Sequence, residues 1–145
     1  MTPIQAQELI LSGKAPSGMV VGGSLMLGRS TYLKSLPNYL KVGGWLDLIG
    51  CTSLQSLPEN LVVKKQGLDL TGCTSLQSLP SNLKVGGWLD IAGCISLQLP
   101  YGIPVGVKGM VYADEEVLRN NKEHLFTMTN VKFDDMEMYK RILSE

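Results

Sequence analysis

The sequence has no surplus of charge: 13 Lys and Arg are matched by 13 Asp and Glu. A general nucleic-acid binder needs a basic excess to displace counterions, so the balance argues against one. No apolar run reaches the ~18 residues that span a bilayer, so no membrane partner is expected. Met1-Thr2-Pro3-Ile4-Gln5 lacks the basic segment and following apolar stretch of an export signal, and a cytoplasmic location is the expectation. Aromatics are few, at 6%. There are only three cysteines, an odd count that argues against a disulfide framework. There is one histidine, His124. The nucleophile elbow G-x-S-x-G, the zinc motif H-E-x-x-H and the phosphate loop G-x-x-x-x-G-K-[ST] are all missing. These absences predict no enzyme, no catalytic residue, no cofactor and no metal. At 44% hydrophobic and 18% charged the chain is nonetheless not of disordered composition, and 145 residues suit one domain.

Glycine is the residue in excess, at 16 of 145 against an average near 7%. Its placement is periodic. Leu36-Pro37, Leu57-Pro58, Leu79-Pro80 and Leu99-Pro100 recur at intervals of 21, 22 and 20. Lys41-Val42-Gly43-Gly44-Trp45-Leu46-Asp47 is repeated without change at residues 84–90, and Gly-Cys-Thr-Ser-Leu-Gln-Ser-Leu-Pro stands at 50–58 and at 72–80. Five units follow: 15–35, 36–56, 57–78, 79–98 and 99 to about 113. Their frame is Leu46-x-Leu48-x-x-Cys51-x-x-Leu54-x-x-Leu57-Pro58, then Leu68-x-Leu70-x-x-Cys73-x-x-Leu76-x-x-Leu79-Pro80, then Leu89-x-Ile91-x-x-Cys94-x-x-Leu97.

Over residues 15–113 this frame resembles the leucine-rich repeat. The Leu-Pro pair and short period are most similar to the bacterial and bacteriophage short-repeat subclass, which also furnishes the arrays of type-III-secreted effectors. The resemblance implies an α/β leucine-rich-repeat solenoid of five ~21-residue units with a short parallel sheet. It also implies a protein partner held on a concave sheet face. The step x-Leu-x-Leu has period 2 and predicts one short strand per unit, at 24–27, 45–48, 67–70, 88–91 and 109–112. Two glycine columns, Gly22-Gly23, Gly43-Gly44 and Gly86-Gly87 before the strands and Gly50, Gly72 and Gly93 after them, mark bends of positive φ or close backbone approach. Lys64-Lys65-Gln66 adds a residue and predicts a bulge in the third unit.

The flanks read as caps. Residues 1–14 form an N-terminal capping helix over 3–12, with Thr2 as N-cap, Pro3 at the first position and Gln5 closing a capping box. Residues 114–145 form an acidic, mainly helical C-terminal cap. One helix there runs from Asp114-Glu115-Glu116 to about Phe126, and a second opens on the box Asp134-x-x-Glu137 with Met136, Tyr139, Ile142 and Leu143 on one face. Phe126 to Phe133 alternates and reads as a strand or an extended link. Residues 1–113 carry 8 basic and 5 acidic side chains and residues 114–145 carry 5 and 8, a mildly basic solenoid and an acidic tail.

Cys51, Cys73 and Cys94 share one register position, filled by Ser30 and Glu115 at the ends. A row along a solenoid axis does not converge as metal ligands must, so a structural ladder is expected. Outward strand positions give two columns: Ser24, Trp45, Gly67, Trp88, Gly109, and Met26, Asp47, Asp69, Asp90, Val111. Strand spacing of ~4.8 Å would set Trp45 and Trp88 about 10 Å apart across Gly67, leaving a slot for an inserted side chain. The three aspartates make a like-charge row. Exposed Trp beside acid suits a Lys or Arg of a protein partner. Met26, Trp45, Asp47, Asp69, Trp88 and Asp90 are therefore the expected partner-binding residues, although Trp-Leu-Asp also recurs simply by duplication of its unit. The chain would act as a monomer or weak homo-oligomer, as a phage or bacterial inhibitor of another protein. A second reading is the recognition part of a secreted virulence effector. A third is a small enzyme or metal protein using the Cys row.

Overall fold

A computed structural model describes residues 1–127 and 131–145. It is a parallel-sheet solenoid whose first four coils contain two strands each, where the sequence pattern suggests one. The strands are two residues long: β1 (Val20–Val21), β2 (Leu25–Met26), β3 (Lys41–Val42), β4 (Leu46–Asp47), β5 (Val62–Val63), β6 (Leu68–Asp69), β7 (Lys84–Val85), β8 (Leu89–Asp90) and β9 (Val111–Tyr112). They stack into two parallel sheets, β1-β3-β5-β7 and β2-β4-β6-β8-β9. Each residue pairs with the one 21 or 22 positions on, as in Leu25↔Leu46, Leu46↔Leu68, Leu68↔Leu89 and Leu89↔Val111.

The core is a stack of columns. Val21, Val42, Val63 and Val85 point inward from the first sheet, and Leu25, Leu46, Leu68, Leu89 and Val111 from the second, all buried. Leu27, Leu48, Leu70 and Ile91 follow, then Leu33, Leu54, Leu76 and Leu97 on the far bend. One coil cannot cover its own apolar face, so each depends on its neighbours. Cys51, Cys73 and Cys94 are buried and donate through Sγ to the carbonyls of Leu27, Leu48 and Leu70 in the preceding coil, at 3.3, 3.1 and 3.1 Å. Ser30 is the buried counterpart in the first coil. Glu115 is not the counterpart in the last: it is exposed on a helix and paired with Arg119. Asp114 instead closes the separate row of glycine-bend amides, accepting from the Gly93 amide at 2.9 Å. It replaces the backbone carbonyl used by earlier coils, such as Ala92 for Gly72.

The two glycine columns have different physical causes. Gly50, Gly72 and Gly93 hold φ of 68, 74 and 77°, the left-handed region that favours glycine. Among the glycine pairs before the second sheet, Gly86-Gly87 is a close-approach position instead: a Cβ on Gly87 would overlap the Gln66 carbonyl, and one on Gly86 the Lys64 carbonyl. The extra residue of the third coil lies here, because β5 and β6 are one residue further apart than β3 and β4 (Val62 to Leu68 against Lys41 to Leu46).

α1 (Pro3–Leu11) has the expected capping box, Gln5 N–H to Thr2 Oγ1 and Thr2 N–H to Gln5 Oε1. It ends with Gly13 at φ 73° and the amides of Gly13 and Lys14 on the carbonyls of Ile10 and Leu9, a Schellman stop. Ala6 and Ile10 form its buried face, and Ile4 is exposed. At the other end α2 (Glu115–Asn120) is followed by a 3₁₀ helix (Lys122–Thr127), not by a continuous helix to Phe126. Asn121 breaks the run because its side chain is recruited to the solenoid: it donates to the Leu97 and Val117 carbonyls and accepts from the Leu99 amide at 2.7 Å. α3 (Met136–Ser144) is capped by Asp135, which accepts from Met138 N–H, and not by Asp134. Asp134 is used on Ala113 N–H instead. Tyr139 and Ile142 form the buried face of α3; Met136 and Leu143 are exposed. Part of the alternating stretch lies outside the described residues, but Phe133 bridges Val111 as one further parallel rung. The tail thus caps the end of its own second sheet. No described helix is long and apolar enough to cross a membrane.

Candidate functional site

The outer face of the second sheet is set by the alternation of each strand. Leu46 turns in, so its neighbours Trp45 and Asp47 turn out, and the same holds at Leu68 and Leu89. The fifth coil departs from the expected columns. Val111 pairs with Leu89 and is buried, and Tyr112 pairs with Asp90. The outward positions there are therefore Met110 and Tyr112, both exposed, and not Gly109 and Val111. Twelve positions separate Leu99 from Val111, against ten from Leu79 to Leu89, so the last coil slips by one residue more than its glycines suggest.

The first column is closed, not slotted. Trp45 and Trp88 have ring centroids 6.3 Å apart at a tilt of 54°, well short of two strand spacings. Trp88 folds over Gly67: a Cβ on Gly67 would fall inside its ring, with Cε3 at 2.6 Å. Gly67 is buried beneath it. Offset aromatic packing and the loss of exposed indole surface favour this collapse. The Trp45 amide donates to Ser24 Oγ at 3.0 Å, and Ser24 Oγ donates to Gln66 Oε1 at 3.3 Å across the same column. Trp45 Nε1–H is buried and has no acceptor, the single such side-chain donor among the described residues.

The second column keeps its three carboxylates. Oδ1 of Asp47, Asp69 and Asp90 accepts the amide two residues on, from Ile49, Thr71 and Ala92, at 2.9, 3.0 and 3.0 Å. Asp69 also accepts from the Thr71 hydroxyl. Asp47 is buried against Gly28, whereas Asp69 and Asp90 are partly exposed. Burial pushes the Asp90 carboxyl above its usual range; the Ala92 amide opposes this and the neighbouring Asp69 adds to it. Among the described residues every ion pair lies in the tail, so no lysine or arginine answers the row. Met26, in the same column of the first coil, is exposed. The expected six residues are thus on one face, but Trp45 and Trp88 are joined and Asp47 is largely withdrawn.

No protein-family model, curated protein or solved structure matches this chain.

The cysteines offer little nucleophilic character. Burial pushes the thiols of Cys73 and Cys94 up to about 12, reinforced by the neighbouring thiol of the preceding coil, and raises that of Cys51. His124 lies in the 3₁₀ helix of the tail, half-buried. Among the described residues no three His, Cys, Asp or Glu stand close enough to share a metal ion. Sequence reasoning missed the first sheet, whose signal was the recurrent pair Val20-Val21, Lys41-Val42, Val62-Val63 and Lys84-Val85 ahead of the glycine bends. It also missed Asn121 and Tyr112.

Proposed function

We propose that this chain is a non-enzymatic protein-binding module of the short leucine-rich-repeat type, bacterial or phage in context, acting in the cytoplasm of the bacterial or infected cell. Its partner docks on the outer face of the second sheet. The observation that carries this reading is the juxtaposition of an aromatic pair, Trp45 and Trp88, with a carboxylate row that no basic side chain among the described residues neutralises. Aromatic anchors beside polar groups are what protein interfaces concentrate, and an unanswered row of acids is complemented by an incoming base. The non-catalytic reading is supported by thiols that are buried, protonated and engaged with carbonyls. Affinity capture from bacterial lysate tests it, with the double variant Trp45→Ala, Trp88→Ala alongside the wild type. Capture by the wild type and a loss of at least about tenfold in the variant, the size of an aromatic hot spot, are expected. Equal capture by both would remove this face from the function.

A further inference from the structure

We infer that the second sheet carries a slot for a cationic side chain, an arginine or lysine of an extended peptide segment, and that Trp88 is its lid. The inference rests on the reading of this face as a binding surface. Three observations carry it. The first is a vacancy. Trp45 and Trp88 occupy one outward column two coils apart, and the coil between them contributes Gly67, which has no side chain there. Trp88 fills the gap itself by lying on the Gly67 backbone and reaching Trp45. A side chain that fills a neighbour's place is the part of this face able to leave it, because its displacement disturbs no backbone pairing.

The second observation is the charge beside the vacancy. Asp47, Asp69 and Asp90 each use Oδ1 on the amide two residues on, Thr71 of the middle coil also reaches the Asp90 carboxylate, and no lysine or arginine among the described residues pairs with the row. Asp69 lies in the Gly67 coil, next to the slot floor, and is partly exposed. The third is the buried Trp45 Nε1–H without an acceptor. A buried donor left unpaired is costly, and an entering peptide supplies a carbonyl for it. A guanidinium or ammonium inserted over Gly67 would sit between two indole faces and against Asp69, satisfying both the ring quadrupoles and the acid row. An acidic segment would meet three carboxylates, and a purely apolar one would leave them unanswered.

Trp45 and Trp88 are the protein's two tryptophans, so indole emission, excited selectively, reads this site alone. The probe is N-acetyl-arginine methylamide, titrated into the full chain at constant ionic strength, with N-acetyl-norleucine methylamide as the uncharged control. A saturable red shift with the arginine compound and none with the control is expected, weakened about threefold in Asp69→Asn, the size of a partly exposed charge contact. Gly67→Val should show the red-shifted emission before any ligand is added and no further response. The three atoms nearest a Cβ at this position all belong to the Trp88 indole, and circular dichroism reports whether the coil survives. No saturable shift in the wild type, an equal shift with the norleucine compound, or wild-type emission in folded Gly67→Val would each overturn the slot. If the wild type captures a partner through the two tryptophans but gives no arginine response, the docking face stands and the slot falls. If the arginine response is present but capture ignores Trp45 and Trp88, the slot stands and the docking face falls.

Discussion

At the scale of single residues, the cysteines are the clearest case of side chains serving the repeat. Each Sγ reaches back one coil to a leucine carbonyl that the strand pairing leaves at the bend. The same burial that makes this contact favourable disfavours the thiolate. Cys73 and Cys94 are raised from 9.0 to about 12, burial being the largest cause for both. A raised folded value means that the stability contributed is fully present below pH 9 and is lost as pH climbs toward 12, because the unfolded chain releases protons that the folded chain keeps. The urea midpoint should therefore hold from pH 7 to 9 and fall above it, each thiol adding at most about 1.4 kcal/mol per pH unit. The decisive comparison is with Cys73→Ser. That variant starts lower by about 1–2 kcal/mol for the lost sulfur packing, and its midpoint should fall less steeply with pH. Parallel slopes for the two proteins would place the alkaline loss elsewhere.

At the scale of the coil, the glycine pairs look alike in sequence and differ in the fold. Gly22 lies in the first coil and Gly87 in the fourth. A Cβ on Gly22 meets nothing within 4 Å, whereas one on Gly87 overlaps the Gln66 carbonyl of the bulged third coil. Gly22→Ala should be neutral or stabilising by up to about 1 kcal/mol through the unfolded chain. Gly87→Ala forces backbone from backbone and should cost about 3 kcal/mol or more, read as the shift in urea midpoint. The contrast marks what was legible beforehand. The period, the inward leucine columns, the cysteine ladder and the capping box of α1 were readable because copies of one unit hold one register. The first sheet was not, since pairs of residues are too short to display alternation. The slip that brings Met110 and Tyr112 outward was hidden because Tyr101 to Gly106 does not repeat the sequence of the earlier units, although Val107 pairs with Val85. The closed tryptophan pair depends on a side-chain torsion, and a column of outward positions says nothing of torsions.

At the scale of the molecule, the array is quasi-one-dimensional, and its ends decide how it opens. The second sheet is closed at its far end by one rung of the tail: Val111 N–H donates to the Lys132 carbonyl at 2.8 Å, and Asp134 N–H to the Val111 carbonyl at 2.9 Å. Phe133 holds that rung in place, 2% exposed and with its ring 4.9 Å from that of Tyr139. Tyr139 in turn donates its hydroxyl to the Leu125 carbonyl at 2.7 Å. Phe133→Ala should cost about 3–5 kcal/mol for the emptied ring volume. Because coils touch only their neighbours, the loss should be felt locally before it is felt globally. Amide exchange should quicken first at Val111 and Ala113, next at Leu89 and Ile91, and least at Leu25 and Leu27, which pair with the Trp45 and Asp47 carbonyls at the opposite end. A graded profile of this kind would show the cap acting as the last coil of the solenoid. Equal acceleration at every amide would instead mean that the whole array opens as one cooperative unit, with the tail stabilising it as a whole and not at its end.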